Sequence, residues 1–87
     1  MTYFMTATVT FYHRLAPNNR TEVPLNLQAD NKEELRDKLS GFLGSSSAGS
    51  MFVFSHIENV RIHKGELLHS SGNIRIEDLR KSLMELS

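Results

Sequence analysis

From Tyr3 to His13 the chain changes character at every residue. Tyr3, Met5, Ala7, Val9 and Phe11 form one set, and Phe4, Thr6, Thr8, Thr10 and Tyr12 form the other. Side chains on an extended chain flip face at each step, whereas a helix returns to one face every three to four residues. The segment therefore reads as a long strand with one buried face. Threonine, valine and aromatic side chains suit the same pleated surface. Such a strand needs neighbours and a covering layer, so the rest of the chain must supply both.

The first neighbour follows directly. Leu15 to Arg20 reads as a turn, because Pro17 fixes its own φ and Asn18 and Asn19 tolerate left-handed geometry. Thr21 to Gln28 then alternates again, with Val23, Leu25 and Leu27 on one face. Pro24 has no N–H to donate, which assigns this strand to a sheet edge. The covering layer begins at Asp30-Asn31-Lys32-Glu33, which has the form of a capping box with Asp30 as the cap and Glu33 reaching back. Leu35, Leu39, Phe42 and Leu43 recur at helical spacing, and Glu34 and Lys38 make a surface i,i+4 pair. Gly44 is placed to stop the helix. Gly44 to Ser50 reads as a linker. A phosphate cradle would need a Gly-Lys-Ser/Thr ending and a following helix, and a strand follows here.

Met51 to Ser55 is apolar on both faces, the pattern of a central strand. From Ile57 to His63, Val60 and Ile62 alternate with Arg61 and His63; one bent strand or two both fit residues 51–63. Lys64-Gly65 reads as a tight turn into Glu66–His69, and Ser70–Asn73 as a second loop. Ile76, Leu79, Leu83 and Leu86 mark a last helix face, with Glu77 and Asp78 in its first turn where the dipole favours negative charge. A helix this short is marginal alone and must dock on the sheet. The order β-β-α-β-(β)-α predicts a single α+β domain over residues 1–87. Its antiparallel sheet has three to four strands, and both helices pack on one face.

Size and composition narrow the function classes. Folding an 87-residue chain of 9.9 kDa removes about 9,000 Å² from water, enough for one small core with little left for a deep cleft. The chain has no Cys, which excludes a disulfide scaffold, a thiolate zinc site and a thiol nucleophile, and favours a reducing compartment such as the cytoplasm. Its longest apolar run, Met51–Phe54, is far short of a membrane span, and Met1–Met5 has a strand pattern rather than that of a signal peptide. Ten basic residues balance ten acidic ones. A strongly basic domain is the usual footprint of phosphate binding, and this chain has neither a basic arm nor an acidic tail.

No chemical motif stands out. His13, His56, His63 and His69 lie at strand ends or turns, with no compact ligand spacing for a metal. His63 and His69 could meet across the Lys64-Gly65 turn. Serines are abundant, but no Gly-x-Ser-x-Gly elbow occurs. The pairs Glu33-Glu34 and Glu77-Asp78 open helices, which explains them without acid–base catalysis. The expectation is a protein without catalytic activity, cofactor or metal.

With both helices on one face of the sheet, Phe4 and Tyr12 project from the other among threonines, with Arg14, Arg20 and Arg61 at its margin. Either Phe52 and Phe54 or Met51 and Val53 join them. An exposed apolar patch usually marks an interface, and Tyr and Arg are enriched in its energetic centres. The plain alternative is that Phe4 frays at the terminus and Tyr12 caps an edge. A basic edge of Arg61, Lys64 and Arg75 is the next candidate surface. The reading that follows is a small binding protein that contacts another protein, or a second copy of itself as a homodimer. Free-standing chains of this size are frequent among phage and mobile-element accessory proteins, such as inhibitors of a host defence complex, an association by size alone. The alternative is a single-stranded nucleic-acid-binding module that stacks bases on the aromatic face.

Overall fold

The structure, a computed structural model, describes residues 2–47 and 51–86. The elements are β1 (Tyr3–His13), β2 (Ala16–Ala29), α1 (Lys32–Ser47), β3 (Phe52–Lys64), β4 (Glu66–Ile74) and α2 (Ile76–Met84). The four strands form one antiparallel sheet in the order β2-β1-β3-β4. The Tyr3 face of β1 is buried as its alternation predicts, with Met5 and Val9 fully inaccessible. Pro24 does lie on an edge strand, paired with Thr8 on its inner side.

Both helices cover that face. Leu35, Leu39 and Leu43 of α1 and Leu79 and Leu83 of α2 share one core with Met5, Val9, Leu25, Ile57, Val60 and Ile62. The helices run antiparallel. Lys32 Nζ, at the start of α1, donates to the carbonyls of Met84 and Leu86 (3.0 and 2.9 Å) at the end of α2. A Lys ammonium on the last carbonyls of a helix also meets the negative end of its dipole.

β3 is a single strand, and its irregular sequence has a structural cause. Against β1, Thr6 pairs with Arg61 but Thr8 pairs with Glu58, so Asn59 and Val60 together face Ala7. Asn59 is the extra residue, with φ at 54°. A left-handed residue at the head of a bulge is a position for glycine, and asparagine is the side chain that best tolerates it. The bulge lets Ile57 and Val60, three apart, both point into the core. A second irregularity skips Ser55, between His56 opposite Thr10 and Phe54 opposite Phe11. Phe54 thus joins the helix side, edge-on to Phe11 at 6.4 Å, and Val53 takes the other face opposite Tyr12.

Four local expectations are corrected. The turn before β2 is shorter than Leu15–Arg20: strand pairing resumes at Ala16 opposite His13, and Pro17–Asn19 form an outward irregularity before Arg20 meets Tyr12. The cap of α1 is one residue later than expected. Asn31 Oδ1 accepts from the Glu34 N–H (2.8 Å), and the Glu34 carboxylate accepts from the Asp30 N–H (3.3 Å). Of the linker expected over 44–50, residues 44–47 continue α1, because Gly44 takes an ordinary helical conformation rather than a left-handed stop; residues 48–50 lie outside the described residues. Ser70–Asn73 is strand, held by pairing of Ser70, Ser71 and Asn73 with Arg61, Val60 and Glu58. Only the turn at Gly65, with φ at 80°, separates β3 from β4. No helix among the described residues is long and apolar enough to cross a membrane.

Candidate binding surface

The face of the sheet away from the helices can be read in rows, because residues paired across antiparallel strands share a face. At one end Gln28, Phe4, His63 and Leu67 lie side by side. The next row is Asn26, Thr6, Arg61 and Ser70, and then Pro24, Thr8, Glu58 and Asn73. Glu22, Thr10 and His56 follow, and Arg20, Tyr12 and Val53 close the far end.

This face is not one apolar patch. Phe4 and Leu67 are 47% and 53% exposed on either side of His63 and make an apolar corner. Phe4 also borders a shallow hollow of about 290 Å³ shared with Asn26 and Gln28. Tyr12 is half-buried at the opposite end. The two rings are eight residue steps apart along β1, roughly 27 Å at the usual rise. The rows between them are polar and carry opposing charges, with Arg20 and Arg61 against Glu22 and Glu58. No small ligand can touch both rings, so only an extended or macromolecular partner could use the whole face.

Phe4, Tyr12, Arg20 and Arg61 thus share one face, in two groups. Arg14 sits in the β1–β2 turn, where its N–H donates to the Met51 carbonyl (2.7 Å). Lys64 lies on the helix side, its Nζ 4.9 Å from the centre of the Tyr3 ring. Arg75 caps the start of α2 and sits 3.8 Å from Glu77 and 4.0 Å from Asp78. Arg61, Lys64 and Arg75 therefore occupy separate surfaces. Alternation sends Arg61 and Lys64 to opposite faces, and the length of β4 separates both from Arg75.

The histidines are dispersed for the same reason. His56 and His63 occupy the uncovered face, and His63 pairs with Leu67 rather than His69. His69, opposite the buried Ile62, contacts the Ser71 hydroxyl on the other side. His13 meets Phe52 edge-on at 5.5 Å. Among the described residues no three His, Asp or Glu side chains converge as a metal site would require.

One arrangement was missed from sequence. Ser55 Oγ lies 3.2 Å from His56 Nδ1, and His56 Nε2 lies 3.8 Å from Glu58. Adjacent Ser and His, with Glu two residues on, is a signal that a search for an elbow motif passes over. The Ser–His contact is within hydrogen-bond reach, but the His–Glu separation is too long for the carboxylate to orient the ring. The same row holds Thr10, whose buried Oγ1 has no hydrogen-bond partner among the described residues. No family model, curated protein or solved structure matches the chain.

Proposed function

We propose that this chain is a small binding protein that acts through contact with another protein, of the accessory or inhibitor kind, and that the Phe4–Leu67 corner of the uncovered face is the centre of that contact. The observation that carries this reading is the exposure of two large apolar side chains, Phe4 beside a hollow and Leu67 across His63 from it, on a face that neither helix covers. Polar rows bordering an apolar cluster are a usual feature of a transient interface. The balance of Arg20 and Arg61 against Glu22 and Glu58 suits a protein surface better than a phosphate backbone. Nucleic-acid binding keeps one observation in its favour, the pairing of Tyr12 with Arg20, which would offer a stacking ring beside a cation.

The test is affinity capture from the native cell with wild-type protein and with Phe4→Ala, Leu67→Ala and Met84→Ala. The first two are expected to weaken retention of the captured protein at least tenfold, and the third, on α2, to leave it unchanged. Retention that survives both corner substitutions overturns the reading. Oligonucleotide binding at low salt that falls steeply as salt is added would replace it with the nucleic-acid alternative.

A further inference from the structure

The strands run along the length of the molecule, and its two ends differ. At about 3.3 Å per residue, strands of 11 to 14 residues span roughly 36–46 Å, in line with the longest dimension of 42 Å. One end carries the Gly65 turn, the start of β1 and the contacts of Lys32 with α2. The other carries the β1–β2 turn and the start of β3. Short contacts hold these two segments together: the Arg14 N–H donates to the Met51 carbonyl (2.7 Å), and the His13 ring meets Phe52 edge-on. Within the turn, His13 Nδ1 accepts from the Leu15 N–H (3.2 Å).

This second end is apolar at its tip and cationic around it. Leu15 is the most exposed large apolar side chain among the described residues, at 77%, and Met51 and Phe52 are exposed on the segment bonded to its turn. Residues 11–21 and 39–57 include Arg14 and Arg20 and no Asp or Glu. Tyr12, half-buried, pairs with Arg20 one step in from the tip. The first carboxylate along β2 is Glu22, two residues beyond Arg20. Glu77 and Asp78, at the start of α2, lie 3.8 and 4.0 Å from Arg75, which offsets their charge.

The geometry points to this end as a contact with an anionic lipid surface, in which Leu15, Met51 and Phe52 enter the bilayer interface while Arg14 and Arg20 stay among the headgroups. Two observations choose that occupant. The first is complementarity. Apolar side chains ringed by arginines match an acyl boundary that lies beneath negative headgroups, and a Tyr at the same level suits the interface itself. The second is area. The molecule is only 23 by 19 Å across its length, so its end falls well short of the roughly 800 Å² that each partner gives a standard protein interface. Entry into a bilayer interface needs depth rather than width, roughly 5–10 Å of it. With three apolar side chains and two arginines the contact is peripheral and reversible. It lies at the opposite end of β1 from the Phe4–Leu67 corner and does not rest on it.

The test is flotation of the full chain with vesicles of phosphatidylcholine alone and of phosphatidylcholine with about a third phosphatidylglycerol, at low and at physiological salt. Binding to the anionic vesicles is expected to exceed binding to the neutral ones at least tenfold and to fall as salt is added. Arg14→Gln and Arg20→Gln are each expected to weaken it about fivefold, and Leu15→Asp at least tenfold. Phe4→Ala and Leu67→Ala are expected to leave it unchanged, so failure here is separable from failure of the corner site. The chain has no Trp, so a single introduced one reports its own surroundings. Emission from Leu15→Trp should move to shorter wavelength on anionic vesicles and be quenched by brominated acyl chains, and Leu67→Trp should show neither. Circular-dichroism melts establish which variants are folded, and the wild-type comparison of the two vesicle types stands without them. Absence of binding to anionic vesicles at low salt overturns the proposal. So does binding that survives Leu15→Asp, or quenching as strong at Leu67→Trp as at Leu15→Trp. A protein partner or a second copy held through Leu15 while vesicles are not bound overturns it as well.

Discussion

At the scale of the residue, the start of α1 is fixed by three side chains doing different work. Asn31 satisfies the Glu34 N–H, Glu34 satisfies the Asp30 N–H, and Lys38 lies 3.3 Å from the other Glu34 oxygen. The Asp30 N–H, first, and then Lys38 hold the Glu34 carboxyl below its ordinary value. A carboxylate with a lowered folded pKa stabilises the fold above its unfolded value, and that contribution is lost as pH falls through the folded one. Glu34→Gln is therefore expected to lower the urea midpoint at neutral pH. The gap to wild type should close as pH drops below about 4, the ordinary Glu range. Urea titrations of both proteins across that interval check it. A gap unchanged at the acid end would mean that the carboxylate charge is not what stabilises the cap.

At the scale of the element, α1 runs through two glycines, of which Gly44 reads from the sequence as a stop. Gly41 and Gly44 are exposed, neither has a positive φ, and an added methyl at either would touch nothing within 4 Å. Alanine at such a site restricts the unfolded chain and costs the folded helix nothing, a gain of roughly 0.4–1 kcal/mol. Gly44→Ala is expected to raise the unfolding midpoint by that amount. A fall would place Gly44 in the left-handed stop that its position after Leu43 suggests. The same tension explains how much of the fold was legible. Where one rule governs a segment, as in β1, Thr21–Gln28 of β2 and the Leu79–Leu83 stripe, period and position come straight from the residues. Asn59 and Ser55 each add one residue to β3, which resets the alternation and makes a single strand look like two. Ser70–Asn73 has no apolar alternation to announce it, because β4 is an outer strand that buries little. For the binding surface, the shared face of Phe4, Tyr12, Arg20 and Arg61 follows from alternation once the hairpin is in place. The Phe4–Leu67 corner depends on pairing through His63, a register that only the Gly65 turn and the β3 bulges determine.

At the scale of the whole molecule, the fold is two layers, with its stability carried by the covered face and the proposed partner contact placed on the uncovered one. The layer of helices buries Leu83 completely against the sheet. Lys32 ties the end of α2 to the start of α1, so the two helices cover the sheet as a connected pair. Leu83→Ala leaves a cavity in the core that the helices and the sheet share, and such truncations cost about 2–5 kcal/mol. A domain this small has roughly 4–13 kcal/mol in total. The melting temperature is therefore expected to fall by roughly 10–30 °C. Phe4 is 47% exposed on the opposite layer, so Phe4→Ala removes much less packing and should shift the melt by only a few degrees, about 1 kcal/mol or less. Thermal melts of the two variants beside wild type measure the difference. Comparable losses would mean that Phe4 is as deeply packed as Leu83 and unavailable to a partner. A large loss at Leu83 with a small one at Phe4 leaves the uncovered layer free to vary for binding while the covered layer holds the fold.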